Sequence, residues 1–284
     1  MTKSSEHDPV LPGAVPVSNI VESGALTAKV GLWFWLTALG ILLVTLVVEF
    51  GGLDRQLFLW LNDLGRFAGD TFWIGTTTLG DGLVVCVLVL PFVRRKPELV
   101  WALLVSLLLM ALYVKGLKFF IHRDRPLTNL LGADFRIIGA PYRFNSFPSG
   151  HAAAAAMLAG IFCLFFKQVW VRVAIIGLAL MIGASRIVMG IHWTVDVLAG
   201  FLGGWMAAGL GYWLASRLRF GTTLPGKIII GVLLGGAAVV MLINNHTDYA
   251  QAFRFQQGIA LISLIYIICD VGLWYRRKNT ILFL

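Results

Sequence analysis

The chain has 284 residues, of which 58% are hydrophobic and only 13% charged, and its mean hydropathy is +0.84. A water-soluble domain needs more polar surface than this, so the composition describes a multi-pass membrane protein. The net charge of +9 is spread in short basic clusters between apolar runs with no aromatic-interleaved basic face, which points to topology and anionic lipid and away from nucleic acid.

Residues 1–28 are polar and lack a compact basic start, and the apolar run after them is too long for a cleavable signal, so it reads as a retained first span. A span needs about 20 apolar residues. Spans are accordingly expected at 30–49, 73–93, 98–120, 150–166, 171–190, 194–216, 227–244 and 257–275, an all-α polytopic bundle of eight helices. Thr76, Thr77, Thr78 and Asp81 interrupt the second. In the connection 53–72, Leu57, Phe58, Trp60, Leu61, Leu64 and Phe67 recur at helical spacing among charged residues, the pattern of a helix lying in the interface. The other long connection, 127–147, carries Arg136 and a candidate substrate loop of Tyr142, Arg143 and Asn145, since connections of this length in a compact bundle tend to be functional.

Cys86, Cys163 and Cys269 stand singly in apolar segments and read as small buried hydrophobes. Gly200, Gly203, Gly204, Gly231 and Gly235 are expected to permit close helix packing. Asp81 and Asp270 have no assigned role beyond hydrogen bonding at helix ends.

Basic residues follow every even-numbered span: Arg94, Arg95 and Lys96; Lys167 and Arg172; Arg217, Arg219 and Lys227; Arg276, Arg277 and Lys278. The positive-inside bias then puts both termini in the cytoplasm and the exits of odd-numbered spans on the periplasmic or extracellular side of the inner membrane. Lys118, Arg123, Arg125, Arg136, Arg143 and Arg186 run against the bias and are set apart as cations kept for chemistry.

An ionisable side chain at membrane depth costs about 2.5–3.5 kcal/mol on insertion scales. Three groups of such residues lie at odd-numbered exits: Lys118 with Arg125-Pro126, Pro148-Ser149-Gly150-His151, and Ser185-Arg186 with His192 and Asp196. Topology brings them to one membrane face, where Lys118, Arg125 and Arg186 supply positive charge and Ser149 and the N–H groups around Gly150 add neutral donors, a setting for an anion. His192 and Asp196, four apart, share a helix face, so the carboxylate can fix the ring tautomer and leave the other nitrogen as nucleophile or base. His151, from another span, can then protonate a departing oxygen. Each part also has a plainer reading. Pro-Ser-Gly opens many helices, Lys118 can be a snorkelling anchor, and His192 with Asp196 can be a structural pair. His122, Arg123 and Asp124 read as a solvated or charge-balancing cluster. A metal held by His151, His192 and Asp196 is disfavoured by the three cations, so no metal or cofactor is expected.

Together, Lys118-x6-Arg125-Pro126, Pro148-Ser149-Gly150-His151 and Ser185-Arg186-x5-His192-x3-Asp196 resemble the three-part signature of the type 2 phosphatidic acid phosphatase (PAP2) superfamily. The resemblance covers roughly residues 79–211. It implies a six-helix core over 29–216, with two further helices and a basic tail over 217–284. It also implies a metal-independent lipid phosphatase in which His192 takes the phosphoryl group, Asp196 orients it, His151 is the acid, and Lys118, Arg125, Ser149, Gly150 and Arg186 cradle the phosphate. The implied substrate is a membrane lipid phosphate, such as undecaprenyl pyrophosphate, phosphatidylglycerophosphate, phosphatidic acid or a lipid A phosphate, with no obligate protein partner. The same site would serve a lipid phosphotransferase. A non-catalytic lipid or anion transporter would instead need charged or broken segments continuing to the inner face.

Overall fold

A computed structural model of the protein describes residues 30–130, 135–247 and 249–282, with side chains as far as Arg276. The polar segment 1–28 lies outside the described residues. All regular structure among the described residues is helical: α1 (Leu32–Phe50), α2 (Asp54–Leu64), α3 (Asp70–Thr78), α4 (Gly82–Val89), α5 (Pro97–Phe120), α6 (Pro126–Asn129), α7 (Gly150–Phe165), α8 (Val169–Val188), α9 (Thr194–Arg217), α10 (Leu224–Ile243) and α11 (Phe253–Leu282).

Six of these (α1, α5, α8, α9, α10 and α11) are long and apolar enough to cross a membrane. The two other expected spans differ in form. The second breaks between α3 and α4 with a 65° bend. Asp81 is the cause: its carboxylate accepts the Leu83 and Val84 N–H groups at 2.8 and 3.3 Å, starting a new helix where the old one would have continued. The fourth, α7, has 16 residues, about 24 Å of helix against about 30 Å of hydrocarbon. It need not reach both boundaries, because it stands inside the protein: the run Ala152 to Ala156 is buried throughout. Helices α5, α8 and α9 pack around it, and α1 packs on α9.

Small residues set these distances, since lipid gives no hydrophobic drive for helices to associate. A Cβ on Gly204 would stand 2.0 Å from the Ala153 carbonyl oxygen, and one on Gly200 2.5 Å from that of Ser149, so α9 and α7 cross with backbones touching. Gly203 receives the Tyr113 ring of α5. Gly231 and Gly235 do not share this role: a Cβ on Gly231 meets only Val93 at 3.7 Å, and nothing lies within 4 Å of one on Gly235.

The connection 53–72 folds as α2, a short 3-10 turn and the start of α3 rather than one interfacial helix. Asn62, buried on α2, donates to the carbonyls of Arg136, Ile187 and Val188 and accepts the Arg136 N–H, fastening α2 to the end of α8 and to the 135–149 connection. The hairpin α10–α11 packs on α4. Its buried Asp270 pairs with both Arg94 and Arg95, so this carboxylate neutralises a basic cluster instead of ending a helix. The three cysteines are free.

Gly204→Ala is expected to lower thermal stability in detergent, at a cost of about 1–3 kcal/mol for overpacking, while Gly235→Ala leaves the melting temperature unchanged. Equal melting curves for the two variants would remove the close crossing.

Candidate active site

The three groups of polar residues at the odd-numbered exits meet in one cavity of ≈ 290 Å³. Lys118 from the end of α5, Arg125 at the head of α6, Gly150 and His151 from the first turn of α7, Arg186 from the end of α8, and His192 all line it. Gly150 and His151 bring the N-terminal end of α7 to the cavity, where N–H groups without intrahelical partners and the helix dipole favour an anion. A Cβ on Gly150 would meet only Val114 at 3.7 Å. Packing therefore does not demand glycine there; the missing side chain leaves the approach to the backbone open.

The cations are held largely by carbonyl oxygens. Lys118 Nζ donates to the Asn145 carbonyl. Arg125 Nε and Nη1 donate to Phe144 O (2.9 Å) and Ile191 O (3.2 Å), and its guanidinium lies 4.9 Å from the Tyr142 ring centre. Arg186 Nη1 donates to Thr77 Oγ1 at 2.5 Å. Carbonyls and hydroxyls fix direction without cancelling charge, so the positive field stays in the cavity. Burial lowers the Arg125 pKa, and the neighbouring Arg186 charge lowers it further.

His192 and Asp196 are neighbours, though not through a shared helical face. His192 precedes α9, whose first residue is Thr194. Asp196 Oδ2 turns back over the start of α9 to accept the Trp193 N–H at 2.8 Å, and it lies 3.5 Å from His192 Nδ1. Ser146 joins them: its hydroxyl donates to Asp196 Oδ2 and lies 3.4 Å from His192 Nδ1. With Nδ1 on the carboxylate side, Nε2 is the ring atom left for the cavity. Burial, and then Arg125, Arg186 and Lys118, hold the His192 pKa well below its ordinary value. The ring is therefore neutral at pH 7 with a lone pair available.

Several expected residues take other places. Ser149 is fully buried and caps α7, its hydroxyl 3.5 Å from the Ala152 N–H and its own N–H donating to Asp196 O at 2.9 Å. It sits behind the cradle and does not line the cavity. Arg143 is exposed and contributes its carbonyl, which accepts from Arg125 N and Thr128 Oγ1. Asn145 likewise acts through its backbone, in the left-handed region at φ 57°, as the acceptor for Lys118. Of the candidate loop only Tyr142 lines the cavity by its side chain.

Sequence reasoning gave Ser146 no role of its own. Of the two readings open for Arg123, solvated or charge-balancing, the structure favours the second: it reaches Asp54 Oδ2 at 2.7 Å, Glu49 at 3.5 Å and Asp196 Oδ1 at 3.8 Å. Asp54 in turn accepts the Val195 N–H at 2.9 Å. Burial raises the Asp54 pKa, and the Val195 N–H and Arg123 oppose the rise. The amphipathic α2 thus begins with a carboxylate that supports the start of α9. Its place opposite Arg123 carried no sequence signal. Among the described residues, no three His, Cys, Asp or Glu side chains converge as metal ligands.

A helical membrane bundle with two imidazoles and three cations around one cavity is the class that this geometry defines. The family model of the PAP2 superfamily matches residues 99–220, from α5 to just beyond α9. A lipid A 1-phosphatase of Porphyromonas gingivalis is 42% identical over 76 residues, 26% of this chain and 17% of that protein. An undecaprenyl-diphosphatase of Sulfolobus acidocaldarius is 26% identical over 145 residues, 51% of this chain and 64% of that protein. The crystal structure of Aquifex aeolicus LpxE superposes with a TM-score of 0.49 and 29% identity, over 56% of this chain and 94% of that one. The matches span 17%, 27% and 38% of the first three curated relatives, less than two thirds of their length.

Arg123→Met leaves Asp54 and Asp196 without their cation. The expected loss is about 3 kcal/mol, the low end for breaking a buried pair because Arg123 is partly exposed, read by denaturant titration in mixed micelles. An unchanged midpoint would show that this arginine is a surface ornament.

Proposed function

We propose that the protein is an integral membrane lipid phosphatase that hydrolyses a lipid phosphomonoester or diphosphate through a phosphohistidine, without a metal. The observation that carries the reading is the cavity itself, with His151 and His192 beside Lys118, Arg125 and Arg186. The phosphoryl oxygens lie among the three cations and the N–H groups of the α7 terminus, which stabilise charge spreading over them in the transition state. His192 Nε2 attacks phosphorus. Asp196, next to Nδ1, offsets the positive charge growing on the ring. The bond from phosphorus to the leaving oxygen breaks, and His151, which takes up a proton once the anionic phosphate offsets the three cations, delivers it to that oxygen. Water then attacks the phosphoryl-histidine, giving up a proton to His151 and releasing inorganic phosphate and neutral His192. Ser149 and Ser146 act from behind as positioning residues.

The names borne by the relatives, lipid A 1-phosphatase and undecaprenyl-diphosphatase, support a lipid phosphate as substrate class. A head group in the cavity leaves its tails to the bilayer beside the exposed apolar faces of the helices. We place the protein in the inner membrane with the cavity on the periplasmic or extracellular side and both termini cytoplasmic. The support is the basic residues clustered at the opposite helix ends, from Arg94 to Arg276. Residues 29–216 are the catalytic core and 217–284 an addition to it. The ionisable cluster stays at one end of the bundle, which does not favour a transporter.

Purified protein is expected to release phosphate from a lipid phosphate with EDTA present, and His192→Ala to reduce release to the protein-free level. His151→Ala should cost about 10²–10⁴-fold in kcat. A lipid carrying ³²P should leave acid-labile, alkali-stable label on the wild type and none on His192→Ala. Full activity in His192→Ala would overturn the assignment.

A further inference from the structure

Part of the cavity lining comes from outside the PAP2 region. His246, Thr247 and Tyr249, in the turn of the α10–α11 hairpin, line it together with Asp81 at the α3–α4 break. This wall is built. Gln256, fully buried on α11, accepts the His246 N–H at 3.3 Å and donates to Thr247 Oγ1 at 2.8 Å. Asn245 accepts the Thr247 N–H at 3.2 Å. Tyr249 is buried against Gly139, whose φ is +91° and where a Cβ would stand 2.2 Å from the ring. His246 Nε2 lies 3.5 Å from Asp81 Oδ1, and the His246 side chain is 48% exposed.

The chemistry of this wall differs from that of the cradle. Lys118, Arg125 and Arg186 offer donors and positive charge only, which suits phosphoryl oxygens. The lining from Asp81 and the hairpin holds a carboxylate acceptor, an imidazole and a hydroxyl. A second phosphoryl group there would face the Asp81 carboxylate and be repelled. A hydroxyl group, which donates to Asp81 and accepts from His246, meets both kinds of partner, and Thr247 Oγ1, whose proton is turned to Asn245 Oδ1 and Tyr249 O, keeps a lone pair for a neighbouring hydroxyl. The cavity of ≈ 290 Å³ is also many times the about 10–15 Å³ that one water needs, leaving room beyond the reacting phosphate.

We propose that Asp81, His246 and Thr247 form a head-group subsite beside the phosphate cradle, which takes a hydroxyl-bearing unit, a sugar or a glycerol, attached to the scissile phosphate. The subsite rests on the phosphatase reading and deepens it. The C-terminal hairpin is then a specificity element of the site.

The test uses the full-length protein in detergent with three lipids: a hexosamine 1-phosphate lipid, phosphatidylglycerophosphate, and a prenyl monophosphate that has no hydroxyl group. His246→Ala and Asp81→Asn, the latter keeping an acceptor for the cap of α4, are expected to lower kcat/KM on a hydroxyl-bearing lipid at least about tenfold more than on the prenyl phosphate, as befits one lost hydrogen bond to a charged group. His246→Gln, which retains a donor, should recover part of the difference. Whichever hydroxyl-bearing lipid shows the larger change tells sugar from glycerol. Equal losses on all three lipids, or no losses, overturn the subsite and leave the hairpin a structural wall. A second arm does not need turnover. Glucosamine 1-phosphate or glycerol 1-phosphate should raise the melting temperature of the wild type more than inorganic phosphate does, and His246→Ala should abolish the difference. If the wild type hydrolyses no lipid, the phosphatase reading fails, and this arm alone decides the subsite: equal shifts by all three ligands reject it.

Discussion

One carboxylate holds the site together. Asp196 is completely buried. Its Oδ2 accepts from the Trp193 N–H and the Ser146 hydroxyl and stands beside His192 Nδ1. Its backbone oxygen accepts from Ser149, where α7 begins, and its Oδ1 faces Arg123. The same residue therefore starts α9, positions α7 and orients an imidazole. A buried carboxylate is tolerated only when hydrogen-bonded and partnered. The need to satisfy Asp196 draws three stretches of chain, at Arg123, at 146–149 and at 192–196, to one point.

The cations obey a complementary rule. A charge near the membrane interior is usually cancelled by an opposite charge, and at the other end of the bundle Arg94 and Arg95 do share Asp270. Lys118 and Arg125 are solvated by carbonyls of the 142–147 and 189–193 connections instead. Carbonyl dipoles stabilise a cation without neutralising it, and the surplus field is available to an incoming anion. This explains why Asn145 and Arg143 matter through their backbones, and why a long irregular connection belongs in the site.

Much of this was legible in the sequence. Hydropathy located the helices, because lipid-facing helices must be apolar for whole spans. The alternation of spans brought three distant motifs to one end. What failed has physical causes. The spacing of His192 and Asp196 reads as a helix face, but a carboxylate at the third position of a helix can turn back over the cap, and spacing alone does not separate the two. Ser149 was read as a ligand donor because a serine before a helix offers a hydroxyl equally to a phosphate and to its own helix; burial decides for the helix. Gly231 and Gly235 carry the same small-residue pattern as Gly200 and Gly204 without a neighbour to approach. Arg123 and Asp54 are 69 positions apart, and no local pattern announces a pair at such separation.

The α10–α11 hairpin is fastened twice, by Asp270 to the arginines before α5 and by Gln256 and Tyr249 around its turn. A segment tied at both extremities is ordered when the chain folds, not when a guest arrives. The entropy of arranging that wall is then absent from each binding event. A head group meeting such a surface would find a fixed template, selected by fit in the resting protein rather than by closure around what has been captured.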